Sequence, residues 1–431
     1  MPVKSTYYAL FSIIWMANMS FAQTFIVWNN GQDIHINEGI QLVVKEGDFV
    51  NNVGHLHNNG RLTVHGNFVI NDSVESTNLL AEQPQYQVQG TWSNNSDFIA
   101  GNSRTSLFGG NQQITGSEVT SYYDLDLTGN GIKELDGVDT RILHELNLTI
   151  NELATKEQKA FVDSDLENAI LYILDSGFVS STGNGRLVRK TSAGSSYIYP
   201  LGQQNLQTIY YRPLLISSDS DNSIEGRLAY VDPGLEGKPL SQKAIDIEDL
   251  NSQFFHLIES SDGNDVSGSL AIAYDAMTEG EWEDIGQWVT TSSTQEQWEK
   301  TFDGTDFTLD GLEAIATNSW TYNGDPAHIL LKVVEDIDYD FPTAFDPQSP
   351  LPENQNFTVI DYFGTVDIQR LQVFNRWGTM VYDSQRDGGD AWDGTFRGEL
   401  QQSGNYVYLA TLIDITGRQI GPLNGNVILV R

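Results

Sequence analysis

The chain contains no cysteine, so no disulfide can hold it and its stability must come from packing and backbone ladders. Basic residues are scarce: 23 Lys plus Arg stand against 58 Asp plus Glu, a net charge of −35 over 431 residues. A surface this acidic repels nucleic acid and anionic membranes, both of which are bound through basic side chains and released counterions. Between residues 24 and 130 the only Lys and Arg are Lys45, Arg61 and Arg104, which makes a lyase, needing a basic residue and cations to neutralise a uronate, a poor reading. No later stretch approaches the roughly 20 apolar residues of a membrane-spanning helix, so no transmembrane span is expected. The patterns Gly-x-Ser-x-Gly, His-Glu-x-x-His and Gly-x-Gly-x-x-Gly are also missing, which leaves serine hydrolase, zincin and dinucleotide readings without support.

What is present begins with an export layout. Lys4 precedes an apolar run from Tyr7 to Ala17, and Ser20-Phe21-Ala22 places small residues before Gln23, so residues 1–22 read as a signal peptide. From residue 23 to 190 glycines punctuate the chain at short, even intervals: Gly31, Gly39, Gly47, Gly54, Gly60 and Gly66. Between them lie brief apolar or alternating strands such as Ile40 to Val44 and Phe68 to Ile70, with asparagines at the corners. Short strands between single-residue corners predict parallel β-solenoid rungs, each needing its neighbours to bury its face, with an antiparallel sandwich as the alternative.

Beyond residue 190 the strands lengthen, and residues 191–335 read as an antiparallel β-sandwich with a crossover from Pro233 to Leu250. In it Leu270, Ile272 and Tyr274 are expected to face the core, and Ala271, Ala273 and Asp275 to face outward. Residues 336–343 read as an acidic linker, part of a run with Asp336, Asp338 and Asp340. Candidate chemistry is sparse. His55 and His57, with His35 and His65, form the densest histidine group, and an i, i+2 pair on a strand points two imidazoles to one face. Asp219, Asp221 and Asn222, like Asp303, Thr305 and Asp306, alternate oxygen ligands without the glycine and glutamate of an EF-hand loop. No cofactor is expected, calcium being the one ion these clusters suggest, and no metal ligand set is assigned. A hydrolase needs two carboxylates roughly 5 to 9.5 Å apart, and the sequence singles out no pair. Trp282, Trp288, Trp298 and Trp320 are either sandwich core or a stacking row for sugar rings.

The C-terminal quarter is the most specific part. Asn375-Arg376-Trp377-Gly378, Trp392-Asp393-Gly394, Ser403-Gly404-Asn405-Tyr406-Val407-Tyr408 and Gly425 to Arg431 follow one another as hairpin pieces, with strand residues between glycine turns. In this order they resemble the gliding motility-associated C-terminal domain, the sorting domain of type B substrates of the type IX secretion system. The acidic, glycine-rich loop with which that family opens is replaced here by Phe345-Asp346-Pro347-Gln348-Ser349-Pro350. The resemblance implies a small β-sandwich over 344–431, recognised by type IX machinery at the outer membrane. It also implies an exported product, extracellular or on the outer-membrane surface. Trp377, Trp392, Tyr406 and Tyr408 would then form the core of a small domain. Phe108 to Gly116 followed by Tyr122 to Leu127, and the Tyr-Pro-x-Gly and Tyr-Arg-Pro stretches at Tyr199 and Tyr211, resemble adhesin-like proteins exported by the same route. The expectation is an all-β, exported, adhesin-like protein that is not an enzyme. Its ligand is an unidentified glycan or surface protein, and a carbohydrate-binding protein or a β-solenoid polysaccharide-degrading enzyme is the alternative. Residues 341–431 carry 6 Arg, no Lys and 10 Asp plus Glu, so −31 of the −35 belongs to residues 1–340.

Overall fold

The computed structural model describes residues 25–77, 82–206, 208–244, 246–290, 296–322, 324, 326–334, 339–362, 364–414 and 417–431. The expected signal peptide lies outside these residues, as do Asp336 to Asp338 of the expected linker. Contacts divide the chain into two units, Met1–Tyr211 with Asp221–Arg227, and Arg212–Ser220 with Leu228–Arg431.

The first unit is a β-solenoid of about seven turns. One sheet runs from Ile26–Asn30 through eight parallel strands to Phe178–Ser180, and a second joins Ile34–Ile36, Leu56–Asn58, Val74–Glu75 and Phe98–Ile99. A third carries Gln41–Val44, Arg61–Val64, Gln85–Val88 and Arg104–Leu107, and continues in parallel to Arg186–Thr191. There Asn222 to Gly226 pair antiparallel with Leu187 to Thr191 and end the parallel ladder. The short glycine intervals correspond to the corners of rungs. A Cβ at Gly47, where φ is 127°, would sit 1.6 Å from Phe25 O, and one at Gly66 would sit 2.2 Å from Gly47 O. Successive turns approach so closely at that corner that a side chain would push them apart.

Register stacks like on like. Phe49, Phe68, Trp92, Ile114 and Leu135 are ladder partners in successive turns, and all are fully buried. Trp92 packs edge-on against Phe68 at 5.1 Å, Phe98 at 5.1 Å and Tyr122 at 5.2 Å. The corner asparagines also stack. Buried Asn29 donates from Nδ2 to Asn51 Oδ1 at 2.7 Å, while on the surface Asn52, Asn71 and Asn95 each donate to the asparagine of the preceding turn. Past the last turns, Arg189 donates to Ile198 O and Leu166 O beneath the Tyr197 ring, and Tyr199 Oη donates to Ile224 O.

In the second unit, Leu214–Ser218, Val266–Tyr274, Leu312–Tyr322 and Thr305–Leu309 form one antiparallel sheet. Phe255–Ser260, Ala327–Val333, Asp284–Thr290 and Glu296–Phe302 form another, and the crossover supplies a 3₁₀ turn at Pro233–Glu236 and the strand Ile247–Leu250. Trp320 bridges the sheets by donating from Nε1 to His328 Nε2 at 3.0 Å. The expected alternation in Val266–Tyr274 does not hold. Ala271 and Ala273 are buried too: every residue from Leu270 to Tyr274 is buried, so both faces of this strand are covered along its second half, and the small side chains stand on one of them.

The Tyr-Arg-Pro stretch supplies the anchor of this sandwich. Arg212 donates from Nε to Glu279 Oε1 at 2.8 Å and from Nη2 at 2.5 Å, both side chains being buried, and the guanidinium lies over the rings of Tyr230 and Phe254. Glu279 also accepts from Asp275 N and from Tyr230 Oη. Removing one partner of such a pair strands the other charge, so Glu279→Gln should lower the unit's unfolding free energy by about 3–5 kcal/mol, read by denaturant titration of tryptophan fluorescence.

Two buried histidines make the same unit acid-sensitive. Burial lowers His256 to about 3 and His328 to about 4. His328 donates from Nδ1 to Pro326 O and accepts at Nε2 from Trp320, so a second proton has no acceptor. A folded pKa below the unfolded value of 6.5 means that the unfolded chain binds more protons, and stability present above pH 6.5 is lost as pH falls toward 4. At pH 4.5 each histidine should cost about 2–3 kcal/mol relative to pH 7.5. His328→Gln should show a shallower decline of the denaturation midpoint over that interval than the parent protein.

Candidate functional site: the C-terminal motif residues

Residues 339–431 build one five-stranded sheet, ordered Ala344–Phe345, Gln419–Leu429, Gly404–Asp414, Val366–Phe374 and Met380–Asp383. Its inner face is covered by Phe341, Phe345, Phe357 and Trp392, so Phe341 of the expected linker belongs to this core, and Tyr339–Asp340 pair with Ile360–Asp361. The motif residues divide into two kinds, those that close this core and those that stand outside it.

Trp392 is fully buried, and its backbone pairs in both directions with Phe357 at 2.8 and 2.9 Å. Its indole donates to Thr395 O, and its ring meets that of Tyr406 at 4.8 Å. Asp393 Oδ1 accepts from Thr395 N and Oγ1, tightening the turn, and Gly394 sits at φ 78°, where a Cβ would come within 3.1 Å of Pro347 and Leu429. Arg431 Nη2 donates to Gly394 O at 3.1 Å, joining the last motif to the second. Tyr408 packs on Phe341 at 4.8 Å and Phe357 at 5.1 Å, and Gly425, its cross-strand partner, leaves room for the ring. Gly404 opens the strand Gly404–Asp414 at φ 155°.

The first motif behaves differently. Asn375 Oδ1 accepts from Trp377 N at 3.0 Å and Thr379 N at 2.9 Å, and Gly378 turns the chain at φ 76° between Val366–Phe374 and Met380–Asp383. At the tip Trp377 is 82 % exposed, with Arg376 5.9 Å from its ring centroid. The sequence expectation that Trp377 belongs to the core is therefore wrong. A hairpin tip three residues beyond the end of the strand carries its side chain past the sheet edge, where the core cannot reach it.

The same residues decide the comparison with known proteins. Residues 341–424 match the CHU_C type IX secretion signal domain. This chain is a type IX secretion substrate. It is exported, and is secreted or attached to the cell surface. No curated protein and no solved structure matches it.

The passenger of this type IX substrate gathers side chains that the sequence only partly foretold. His35 and His57 stack at 4.4 Å with planes 2° apart, and His57 Nδ1 lies 2.5 Å from Glu75 Oε1, so a carboxylate does reach this column. His65 does not join them: it packs edge-on against Phe108 and bonds Gln89. Asp219 accepts from Ser267, Asp221 from Ala193 N, and Asp303 pairs with Lys300. No group of three His, Asp or Glu with the geometry to hold a metal occurs among the described residues. Trp282, Trp288, Trp298 and Trp320 are all buried, which overturns a sugar-stacking row built from them.

A polar cluster on the third solenoid face was missed. Arg104 reaches Asp124 at 2.9 Å, Asp126 at 3.0 Å and Glu145 at 3.2 Å, while Asp124 also receives Gln83 Nε2 and lies 2.7 Å from His144 Nδ1. The available signal was separation by one rung, since Arg104, Asp124 and Glu145 are register partners. The His144 ring stacks on Tyr123 at 4.9 Å. With Trp392 at the centre of the sorting domain, Trp392→Ala should cost about 3–5 kcal/mol and unfold this domain first. Limited proteolysis should then cut within 341–431 before the passenger.

Proposed function

We propose that the passenger is an adhesin-like binding module, delivered outside the cell by the sorting domain, that holds a glycan or surface protein without cleaving it. The observation that carries this reading is the parallel, register-locked solenoid, whose faces repeat the same polar side chains turn after turn. Asparagine ladders, the His35–His57–Glu75 column and the Arg61–Gln85 pair form rigid rows of donors and acceptors at strand spacing. Such rows suit extended contact with a repeating ligand. The carboxylates gathered around Arg104, namely Asp124, Asp126 and Glu145, are engaged by Arg104, His144 and Gln83, an arrangement that favours a structural or recognition role over proton transfer.

The hydrolytic alternative has its own best candidate in Glu152. Burial raises its carboxyl pKa, Ser180 Oγ donates to Oε1, and Glu134 adds like charge. A raised carboxylic acid is the group a glycosidase uses as proton donor. The purified full chain should retain a polysaccharide or glycoprotein on an array while releasing no reducing ends over long incubation. Reducing ends that disappear in Glu152→Gln would replace the binding reading by the hydrolytic one. Calcium belongs to the same reading only if it binds the native state. We expect the passenger to melt within a degree or two in chelator and in millimolar calcium, and a rise of several degrees with calcium would add the ion to the account.

A further inference from the structure

We propose that the Arg376–Trp377 hairpin tip and the exposed apolar side chains on the outer sheet face beside it are the docking surface through which the export machinery reads the sorting domain, by an apolar cleft bordered by carboxylates. The other motif side chains have internal work. Trp392, Tyr406 and Tyr408 pack in the core, Asp393 and Gly394 shape a turn, and Arg431 is bonded to that turn. Trp377 has none of these roles and leaves 82 % of its surface in water. The turn beneath it is nevertheless firmly built, with Asn375 accepting two backbone donors and Gly378 N donating to Asn375 O at 2.9 Å. A rigid turn that displays a large indole loses little conformational freedom when a partner covers it, which is the property of interface anchors.

The tip is continuous with exposed apolar side chains on the outer sheet face, which Asn405, Asn424, Asn426 and Gln372 share. Phe374 immediately precedes the turn and is the cross-strand partner of Val407, and Leu409 and Ile428 lie on the same face, 38 % and 50 % exposed. Inner positions of these strands are filled by Val373, Tyr406, Ala410 and Val427, so the outer apolar residues are additional to what the fold requires. Charge indicates the partner. Arg370, Arg386 and Arg418 each pair with an aspartate of the domain, whereas Arg376, like Arg397 and Arg431, forms no ion pair among the described residues, and of these three only Arg376 adjoins the Trp377 ring at the tip. An acidic rim on the partner would complement the Arg376 guanidinium locally, and would repel the −31 of residues 1–340 more strongly than the −4 of the sorting domain.

The test is export of the full chain in a type IX-secreting host, with the exported fraction and the periplasmic fraction measured for Trp377→Ala, Arg376→Glu and Leu409→Asn, and for deletion of 341–431. Thermal melts accompany each variant. Trp377→Ala and Arg376→Glu should melt as the parent does while export falls about tenfold and the protein accumulates in the periplasm, and Trp377→Phe should restore most of it. Normal export of Trp377→Ala and of Leu409→Asn, with the deletion retained in the periplasm, overturns the docking surface and leaves the sorting role intact. Normal export of the deletion would instead remove the sorting role itself. A parent protein that is dimeric in solution and a Trp377→Ala variant that is monomeric but exported would assign the face to a second copy of this chain, against the proposal.

Discussion

Everything in the solenoid depends on keeping each turn in register with the next. A single rung has too little apolar surface to fold, and its inward side chains are buried only by the rungs on either side. Phe49, Phe68, Trp92, Ile114 and Leu135 occupy one inner position, 19 to 24 residues apart, and a one-residue slip would turn the whole column outward. The buried asparagine pair adds direction to this constraint. Asn51 gives its amide protons to Gly54 O, Asp72 O and Ser73 O while accepting from Asn29, so a misregistered rung leaves buried polar groups without partners. With no disulfide available, this penalty does the specifying.

The same constraint produces the outer surface. Once inner positions are locked, the alternation of a strand locks the outer ones, so residues one rung apart become neighbours whatever their chemistry. The acid is placed accordingly. Arg104 sits where Asp124, Asp126 and Glu145 converge, and Arg141 meets Asp163 in the next turn, so scarce bases stand at the points of greatest local repulsion. An isolated exposed pair contributes at most about 1 kcal/mol. Here the carboxylate of Asp124 is almost wholly enclosed, and relief of repulsion inside a crowded ladder matters more than the gain from any one pair.

How much was legible in the sequence follows from the range of the interactions involved. Glycine corners and short strands are local signals, and they foretold a solenoid because a rung's geometry repeats within some twenty residues. The His57–Glu75 contact and the Arg104 cluster were missed, because the one-rung separation that pairs these residues can be used only once the rung length, which varies from turn to turn, is known. The four tryptophans of the central region were ambiguous, since Trp298 and Trp320 look alike in sequence whether a second sheet covers them or a sugar does. In Val266–Tyr274 the alternation misled for a related reason: an alanine can be outward and polar-facing, or inward where two sheets leave little room, and the strand's neighbours decide.

In the C-terminal domain the division between legible and illegible runs through one motif. Sequence order identified the domain, and an aromatic in a small domain is usually core, yet of the four aromatics weighed together Trp377 is the one displayed. The difference lies in position relative to the strands, since Tyr406 and Tyr408 lie on the inner face of Gly404–Asp414, Trp392 bridges to Phe357, and Trp377 lies beyond the end of Val366–Phe374. The buried core of this domain is drawn entirely from Phe341 to Leu429, with half-buried Tyr339 and Tyr408 packed against it. Its core is thus supplied by the sorting domain's own residues. A sorting signal built this way separates the two problems physically: the core residues make the domain fold, and the few residues left outside it are available to be recognised.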